Sequence, residues 1–156
     1  MNYQLDEIDK QILDFLVENT RMPFTEIAKQ MDVSAGTIHV RVKKMEDAGI
    51  ILGSSLNIDY GKLDYHFTAF IGILLTKSNR TQEVLKELAT IPNVIEASVI
   101  SGKYNIFCKV KAKNTEDAKR IIYQIDDIQD VMRTESMISM EEFLSDKNRL
   151  INAISV

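Results

Sequence analysis

The apolar residues of the first 50 positions recur at helical spacing, in three short blocks separated by turn-forming residues. The first block predicts a helix over about residues 6–19, with acidic residues in its first turn, where the helix dipole favours them. Pro23 suits the first turn of a second, short helix. Ser34 is a good N-cap for a third helix, and Gly49 is typical of a helix C-terminus. Three helices in under 50 residues, the last two joined by a tight turn, predict a helix-turn-helix.

The third predicted helix has an apolar side and a polar side. Ile38, Val42 and Met45 share its inward side. A helix of this kind fits the major groove of DNA, where its N-terminal residues reach base edges and neighbouring cations hold phosphates. The outward residues are therefore candidate DNA contacts: Ser34, Ala35, Gly36, Thr37, His39, Arg41, Lys43 and Lys44. Read on its own, a helix face with three cations is more often simply a solvated surface.

Beyond residue 65 the pattern changes to strands alternating with helices. The predicted order is strand, helix, strand, strand, helix, strand, over about residues 66–76, 79–90, 94–101, 104–112, 114–126 and 131–140. Asn79 and Asn114 are the expected helix starts. This βαββαβ order is that of a ferredoxin-like sheet with both helices on one face, so the expected fold class is α+β.

The first predicted strand is apolar on both sides. Ala69, Ile71 and Ile73 point one way, whereas Phe70 and Leu74 point the other. Helices on one face of the sheet cover only one of these sides. Because a large exposed apolar patch is uncommon on a monomer, we expect the other side to pack on a second subunit.

The segment between these halves allows two interpretations. Apolar residues around Gly53 could form two short strands of a wing, or an extended hinge. The sequence thus predicts a winged helix-turn-helix over residues 1–53, a linker over 54–64 and a second domain over 65–156.

Composition excludes several classes of protein. The single cysteine, Cys108, cannot form an internal disulfide, and with His39 and His66 it makes no recognisable metal site. We find no signature of a catalytic site, and expect neither an enzyme nor a metal or other cofactor. The net charge of −4 argues against nucleic acid at first, but residues 34–45 carry three cations and no acid, so the charge is segregated.

No apolar run approaches the length of a membrane helix, and the N-terminus is polar and acidic rather than leader-like. We therefore expect a cytoplasmic protein without a membrane partner.

The first half of the chain resembles the Lrp/AsnC (feast/famine) regulators. The shared frame includes the Leu5-Asp6 opening, Glu26-Ile27-Ala28 and Gly49-Ile50-Ile51. The stretch GTIHVRVKKM is similar to the asparagine-responsive branch, and the second half resembles the regulatory domain of the family, from FIGILL through SGKYNIFCKV to TESMI. The resemblance implies a RAM/ACT-like second domain that binds an amino acid and assembles dimers into octamers. It also implies that the third helix binds double-stranded DNA.

A turn in the second half is the candidate effector site. By itself it indicates a hairpin in which Gly102 supplies an unusual backbone conformation. In the family this corner forms part of the effector pocket, which implies roles for Ser101, Gly102, Lys103, Tyr104 and Asn105. With this resemblance, Thr134, Glu135 and Ser136 are candidate effector contacts from a neighbouring subunit, although strand residues that face a subunit contact explain them equally well. Many members of the family carry aspartate where this chain has the neutral Asn105. That difference weakens any expectation of leucine-type specificity.

The predicted function is sequence-specific transcription regulation of amino-acid or related metabolism by a dimeric or octameric protein. Two alternatives stay open. One is an enzyme like the sirohaem decarboxylases, which share this two-domain layout but need pocket histidines. The other is an architectural DNA-binding protein without an effector.

Overall fold

The structure is a computed structural model that describes residues 3–146 and 148–154. It divides into two compact units. The first contains the described residues up to Asn57 together with those from Leu144 onward, and the second contains Ile58–Phe143. The sequence instead places the residues after Leu144 in the second domain.

Three helices build the first unit: α1 (Glu7–Glu18), α2 (Phe24–Gln30) and α3 (Ala35–Asp47). Asp6 caps α1 through a capping box with Asp9. Ser34 caps α3 by accepting a hydrogen bond from the backbone N–H of Thr37. Gly49 lies two residues beyond the end of α3 and has a φ of 72°. Its N–H donates to the Glu46 carbonyl and that of Ile50 donates to the Met45 carbonyl, which together form a Schellman motif. The helix-turn-helix is thereby confirmed.

The core of this unit lies where the three helices meet. Ile12, Ile27, Ile38 and Met45 have no exposed surface. The inward stripe of α3 predicted from the sequence is therefore confirmed. A 3-10 turn at Arg149–Ala153 packs Ile151 against this core, which explains why the C-terminal residues group with the first unit.

No strand occurs in residues 51–59, all of which the structure describes. The segment has no regular secondary structure and is largely exposed, with Leu52 and Leu56 open to solvent. Of the two interpretations left open by the sequence, the hinge therefore stays as the prediction. The paired strands of a wing are absent from this described segment.

The second unit is a four-stranded antiparallel sheet with two helices on one face. Its elements are β1 (Phe67–Leu75), α4 (Thr81–Leu88), β2 (Val94–Val99), β3 (Ile106–Ala112), α5 (Thr115–Asp126) and β4 (Val131–Ile138). The strand order β2-β3-β1-β4 is the one expected of a ferredoxin-like sheet. Asn114 caps α5 as predicted, but Asn79 does not cap α4. A 3-10 turn at Ser78–Arg80 precedes α4 instead.

The core of the second unit lies between the sheet and its helices. Ile71 and Ile73 of β1 pack with Ile106 of β3 and Ile121 of α5, all four without exposed surface. Burial on this scale contributes about 2 kcal/mol per large aliphatic side chain. This layer holds the open face of the sheet, on the other side, in a fixed geometry.

The open face of the sheet is aromatic and charged. Phe70 stacks on Phe107 with ring centroids 6.0 Å apart, and Lys109 lies 5.7 Å from the Phe70 centroid. Lys109 also forms an ion pair with Glu142. The second apolar side of β1 predicted from the sequence thus lies on a surface that the unit's own helices leave uncovered.

Candidate nucleic-acid and effector interfaces

The exposed face of α3 contains most of the predicted DNA contacts. Ser34, Gly36, His39, Lys43 and Lys44 are exposed. Ala35, Thr37 and Arg41 are partly buried. The predicted residues therefore differ in how far they are exposed and in the contacts that hold them.

Contacts within the unit fix the N-terminal end of α3. The hydroxyls of Ser34 and Thr37 lie 2.8 Å apart, and the Ser34 hydroxyl also accepts the Thr37 amide at 3.0 Å. The His39 ring packs against Phe24 of α2 with centroids 5.9 Å apart. The first turn of α3 is thus fixed by its N-cap, and the helix packs on α2 through His39.

Arg41 points toward α1 and is bound by two carboxylates. Its Nη1 donates to Asp6 at 2.7 Å and to Asp9 at 2.8 Å. Asp9 is 1% exposed and also accepts a hydrogen bond from the Tyr3 hydroxyl at 2.9 Å. The hydrogen bond to Asp9, then that to Asp6, raises the pKa of Arg41. The backbone N–H of Asp9, then Arg41, lowers the pKa of Asp6.

The two lysines differ in their neighbours. Lys43 forms an exposed ion pair with Asp47 at 2.6 Å, one helical turn along. Within the described residues, Lys44 has no carboxylate within 4.0 Å of its ammonium group. Lys44 is thus the cation of α3 whose charge is least compensated.

Sequence reasoning missed Val40. It is 56% exposed, although a valine in a helical pattern is normally expected to face the core. The helical spacing could have revealed its exposure. At about 100° per residue, Val40 lies about 200° around the helix from the buried Ile38, on the opposite side.

The predicted effector turn brings three of its candidates together on the open face of the sheet. The Lys103 ammonium and the Tyr104 hydroxyl both donate to Oε2 of Glu135, the latter at 2.7 Å. These hydrogen bonds, from Lys103 first and then Tyr104, lower the pKa of Glu135 to about 2. The family resemblance implies that Glu135 acts from a neighbouring subunit, but here it contacts the turn of its own chain.

The backbone beneath this cluster leaves no room for larger residues. Gly72 of β1 lies under the Tyr104 ring, and a Cβ atom on Gly72 would come within 2.7 Å of ring carbons. Gly102 has a φ of 119°, as predicted for the turn. Glycine at 72 therefore lets the ring lie flat against the sheet.

Asn105 has a structural contact in this corner. Its side-chain oxygen accepts the Leu75 amide at 2.9 Å, and its amide nitrogen donates to the Ser78 hydroxyl at 3.3 Å. The side chain thus ties the turn to the end of β1. Ser101 and Gly102 lie beside it, exposed at the tip of the turn.

Thr134 and Ser136 do not join the cluster. They pair with Ile73 and Ile71 of β1, which face the helices, whereas Glu135 pairs with Gly72 on the open face. The Thr134 hydroxyl donates to Asp126 of α5 at 2.8 Å. The alternation of side chains along a strand therefore separates the three neighbours predicted to act together.

The structure gives no support to other kinds of site among the residues it describes. No group of three or more His, Cys, Asp and Glu side chains there is arranged to hold a metal ion. Burial raises the pKa of Cys108 to about 11, so its thiol is a core residue rather than a nucleophile. No helix in the described part of the chain is long and apolar enough to span a membrane.

Comparison with known proteins matches both units. The sequence model of the AsnC-type helix-turn-helix domain matches residues 5–46, and that of the Lrp/AsnC ligand binding domain matches residues 68–148. Regulatory protein AsnC of Haemophilus influenzae is 39% identical over 140 residues, covering 89% of this chain and 93% of that protein. Regulatory protein AsnC of Escherichia coli is 38% identical over 141 residues, covering 90% and 93%.

Solved structures show the same fold. Escherichia coli AsnC superposes with a TM-score of 0.88 at 35% identity, covering 92% of this chain and 97% of that one. A Neisseria meningitidis transcriptional regulator solved as a complex with L-Met has a TM-score of 0.86 at 20% identity, covering 93% and 96%. With both domains matched in order by family models and by relatives of nearly the same length, the chain belongs to the Lrp/AsnC family of transcriptional regulators.

Proposed function

We propose that the chain regulates genes of amino-acid or related metabolism by binding DNA through α3, and that an amino acid acts at the open face of its sheet. The observation that carries the proposal is the exposed face of α3. Its N-terminal turn has small side chains and is capped by Ser34, and the face carries a lysine, Lys44, whose charge has no nearby carboxylate among the described residues. An α-helix with these properties suits the major groove.

The DNA-contacting residues divide by chemistry. Gly36 and Ala35 let the backbone approach the groove closely, while Thr37 and His39 offer donors and acceptors to base edges. Lys43 and Lys44 contact phosphates, and Ser34 supports the helix end. Arg41, predicted from the sequence as a base or phosphate contact, is assigned to positioning instead. Two carboxylates against one guanidinium leave that cluster without surplus positive charge.

The effector proposal rests on the cluster of Lys103, Tyr104 and Glu135. An ammonium and a carboxylate held side by side offer complementary charges to the carboxylate and ammonium of an amino acid, and the Tyr104 ring offers an apolar wall. Thr134 and Ser136, on the other face of β4, are effector contacts only if a neighbouring subunit brings them to a different pocket. An amino-acid effector agrees with the Neisseria meningitidis regulator of the same fold, which was solved as a complex with L-Met.

Self-association is part of the same proposal. The open face of the sheet presents Phe70 and Phe107, together with Met137, which is 43% exposed. A second copy of the chain covers this face, giving a dimer, and dimers assemble to an octamer. Paired α3 helices then read half-sites about one DNA turn apart.

A selection from a random duplex pool, followed by thermal-shift and light-scattering measurements with each of the twenty amino acids, tests the proposal. We expect the full chain to enrich specific duplexes, and at least one amino acid to raise the melting temperature and change the assembly size. If the protein is instead an architectural DNA-binding protein without an effector, it will bind DNA but no amino acid will raise its melting temperature. Failure to bind any duplex contradicts the DNA-binding assignment.

The enzyme alternative is left with little support. The relatives found are named as regulators. His39 and His66 belong to different units and do not constitute a tetrapyrrole pocket within either. Purified protein that binds a haem-like ligand stoichiometrically would reverse this ranking.

A further inference from the structure

We propose that Val40 contacts the 5-methyl group of a thymine and thereby helps set the base preference of α3. The inference rests on the DNA-binding role proposed above. It concerns an apolar residue that belongs neither to the core nor to the set of DNA contacts predicted from the sequence.

Val40 lies at the middle of the exposed face. Ile38, Val42 and Met45 define the buried side of α3, with 0%, 6% and 0% exposure. Val40 lies opposite this stripe and is 56% exposed. The centre of the surface that would enter a groove is therefore an aliphatic side chain.

The residues around Val40 leave its methyl groups accessible. Gly36, one turn earlier, has no side chain, and Lys44, one turn later, extends a flexible chain with its charge at the end. Arg41, the adjacent long side chain, is turned away by its bonds to Asp6 and Asp9. When α3 lies in the major groove, Val40 is thus the side chain nearest the base edges between the N-terminal turn and the lysines.

The chemistry of valine selects one partner in the major groove. Valine has neither donor nor acceptor, so it cannot satisfy the polar edge of adenine, guanine or cytosine. Thymine alone presents an apolar group there, the 5-methyl, and aliphatic side chains are known partners for it. A cytosine at the same place would leave its amino group facing the valine unpaired.

Replacing single thymines by deoxyuridine tests the contact, because the substitution removes only the methyl group. The full chain and a duplex selected by it are used, with each thymine of both strands replaced in turn. We expect one position in each half-site at which deoxyuridine weakens binding of the natural chain by about fourfold, the value of one buried methyl. V40A should bind the thymine and deoxyuridine duplexes equally.

Val99 provides a matched control, since it is 57% exposed and lies on β2 in the other unit. V99A should keep the full thymine preference. V40A should fold, because alanine is the better helix former at an exposed site, and its circular dichroism melt checks this. If V40A still prefers thymine over deoxyuridine, or if the natural chain shows no such preference, the inference is overturned but the DNA-binding assignment is not. Absence of binding to every duplex overturns both.

Discussion

Arg41, Lys43 and Lys44 lie within four positions of one another on α3, yet the structure gives them three different environments. Arg41 binds a buried carboxylate, Lys43 pairs with an exposed one, and Lys44 extends to solvent. Charge alone therefore does not decide which cations of a recognition helix serve DNA. We expect the partners that each cation already has within the unit to decide it.

Arg41→Ala should destabilise the first unit without altering the salt dependence of DNA binding. Loss of the guanidinium leaves the buried Asp9 carboxylate with hydrogen bonds but without a cation, which costs roughly 3 kcal/mol. Thermal unfolding should show a lower melting temperature, and the double variant with Asp9→Asn should recover part of it. The slope of log Kobs against log salt should stay that of the natural chain, and a flattened slope would mean that Arg41 does contact phosphate.

Glu135 should make stability depend on acidity between about pH 4.5 and pH 2. The pKa of Glu135 in the folded chain is about 2, below its ordinary value of 4.5. At pH values above 4.5 the ionised carboxylate therefore contributes its full stabilisation of the fold. That contribution is lost as the pH falls toward 2. Urea unfolding should therefore show the natural chain and Glu135→Gln converging over this range, and a constant difference would contradict the assigned pairing.

At the scale of elements, β1 and the turn before β3 show why a glycine inside a strand matters. Gly72 weakens a strand in general, but here it leaves the space that the Tyr104 ring occupies. The ring and Lys103 then reach Glu135 on β4. One missing side chain in β1 thus permits a polar cluster that spans from the turn to another strand.

Gly72→Ala should displace the Tyr104 ring and abolish the thermal shift that we expect from the proposed amino-acid effector. The added methyl has to move the ring, since its distance to ring carbons would be 2.7 Å. Differential scanning fluorimetry should show a lower melting temperature for Gly72→Ala, and the double variant with Tyr104→Ala should recover it. If the single variant melts and responds like the natural chain, the ring does not depend on this space.

Local signals in the sequence predicted most of the elements but few of the contacts in the candidate sites. The caps at Ser34 and Asn114 and the stripe on α3 depend on residues within a few positions of each other. The pairs Arg41–Asp9 and Tyr104–Glu135 join residues more than 30 positions apart, so no short pattern reveals them. Where local signals failed, at Asn79, a 3-10 turn replaced the expected cap.

For the molecule as a whole, the net charge of −4 results from acidic and basic residues that lie in different parts of the chain. Acidic residues cluster on α1, where they cap the helix and hold Arg41, whereas the exposed side of α3 carries the lysines. The second unit contributes a sheet with one face free of its own helices. The surface proposed for DNA binding and the surface proposed for assembly thus belong to different units.

Fluorescence anisotropy of the full chain on a selected duplex, measured across a series of salt concentrations, tests the central claim most directly. We expect log Kobs to fall linearly with log salt, and Lys44→Ala to weaken binding to all duplexes and reduce the slope by about one. Lys29→Ala, which removes an exposed lysine from α2 rather than α3, is the control and should change the slope less. Binding that is independent of salt, or a slope unchanged by Lys44→Ala, would contradict the assignment of α3 as the DNA-binding helix.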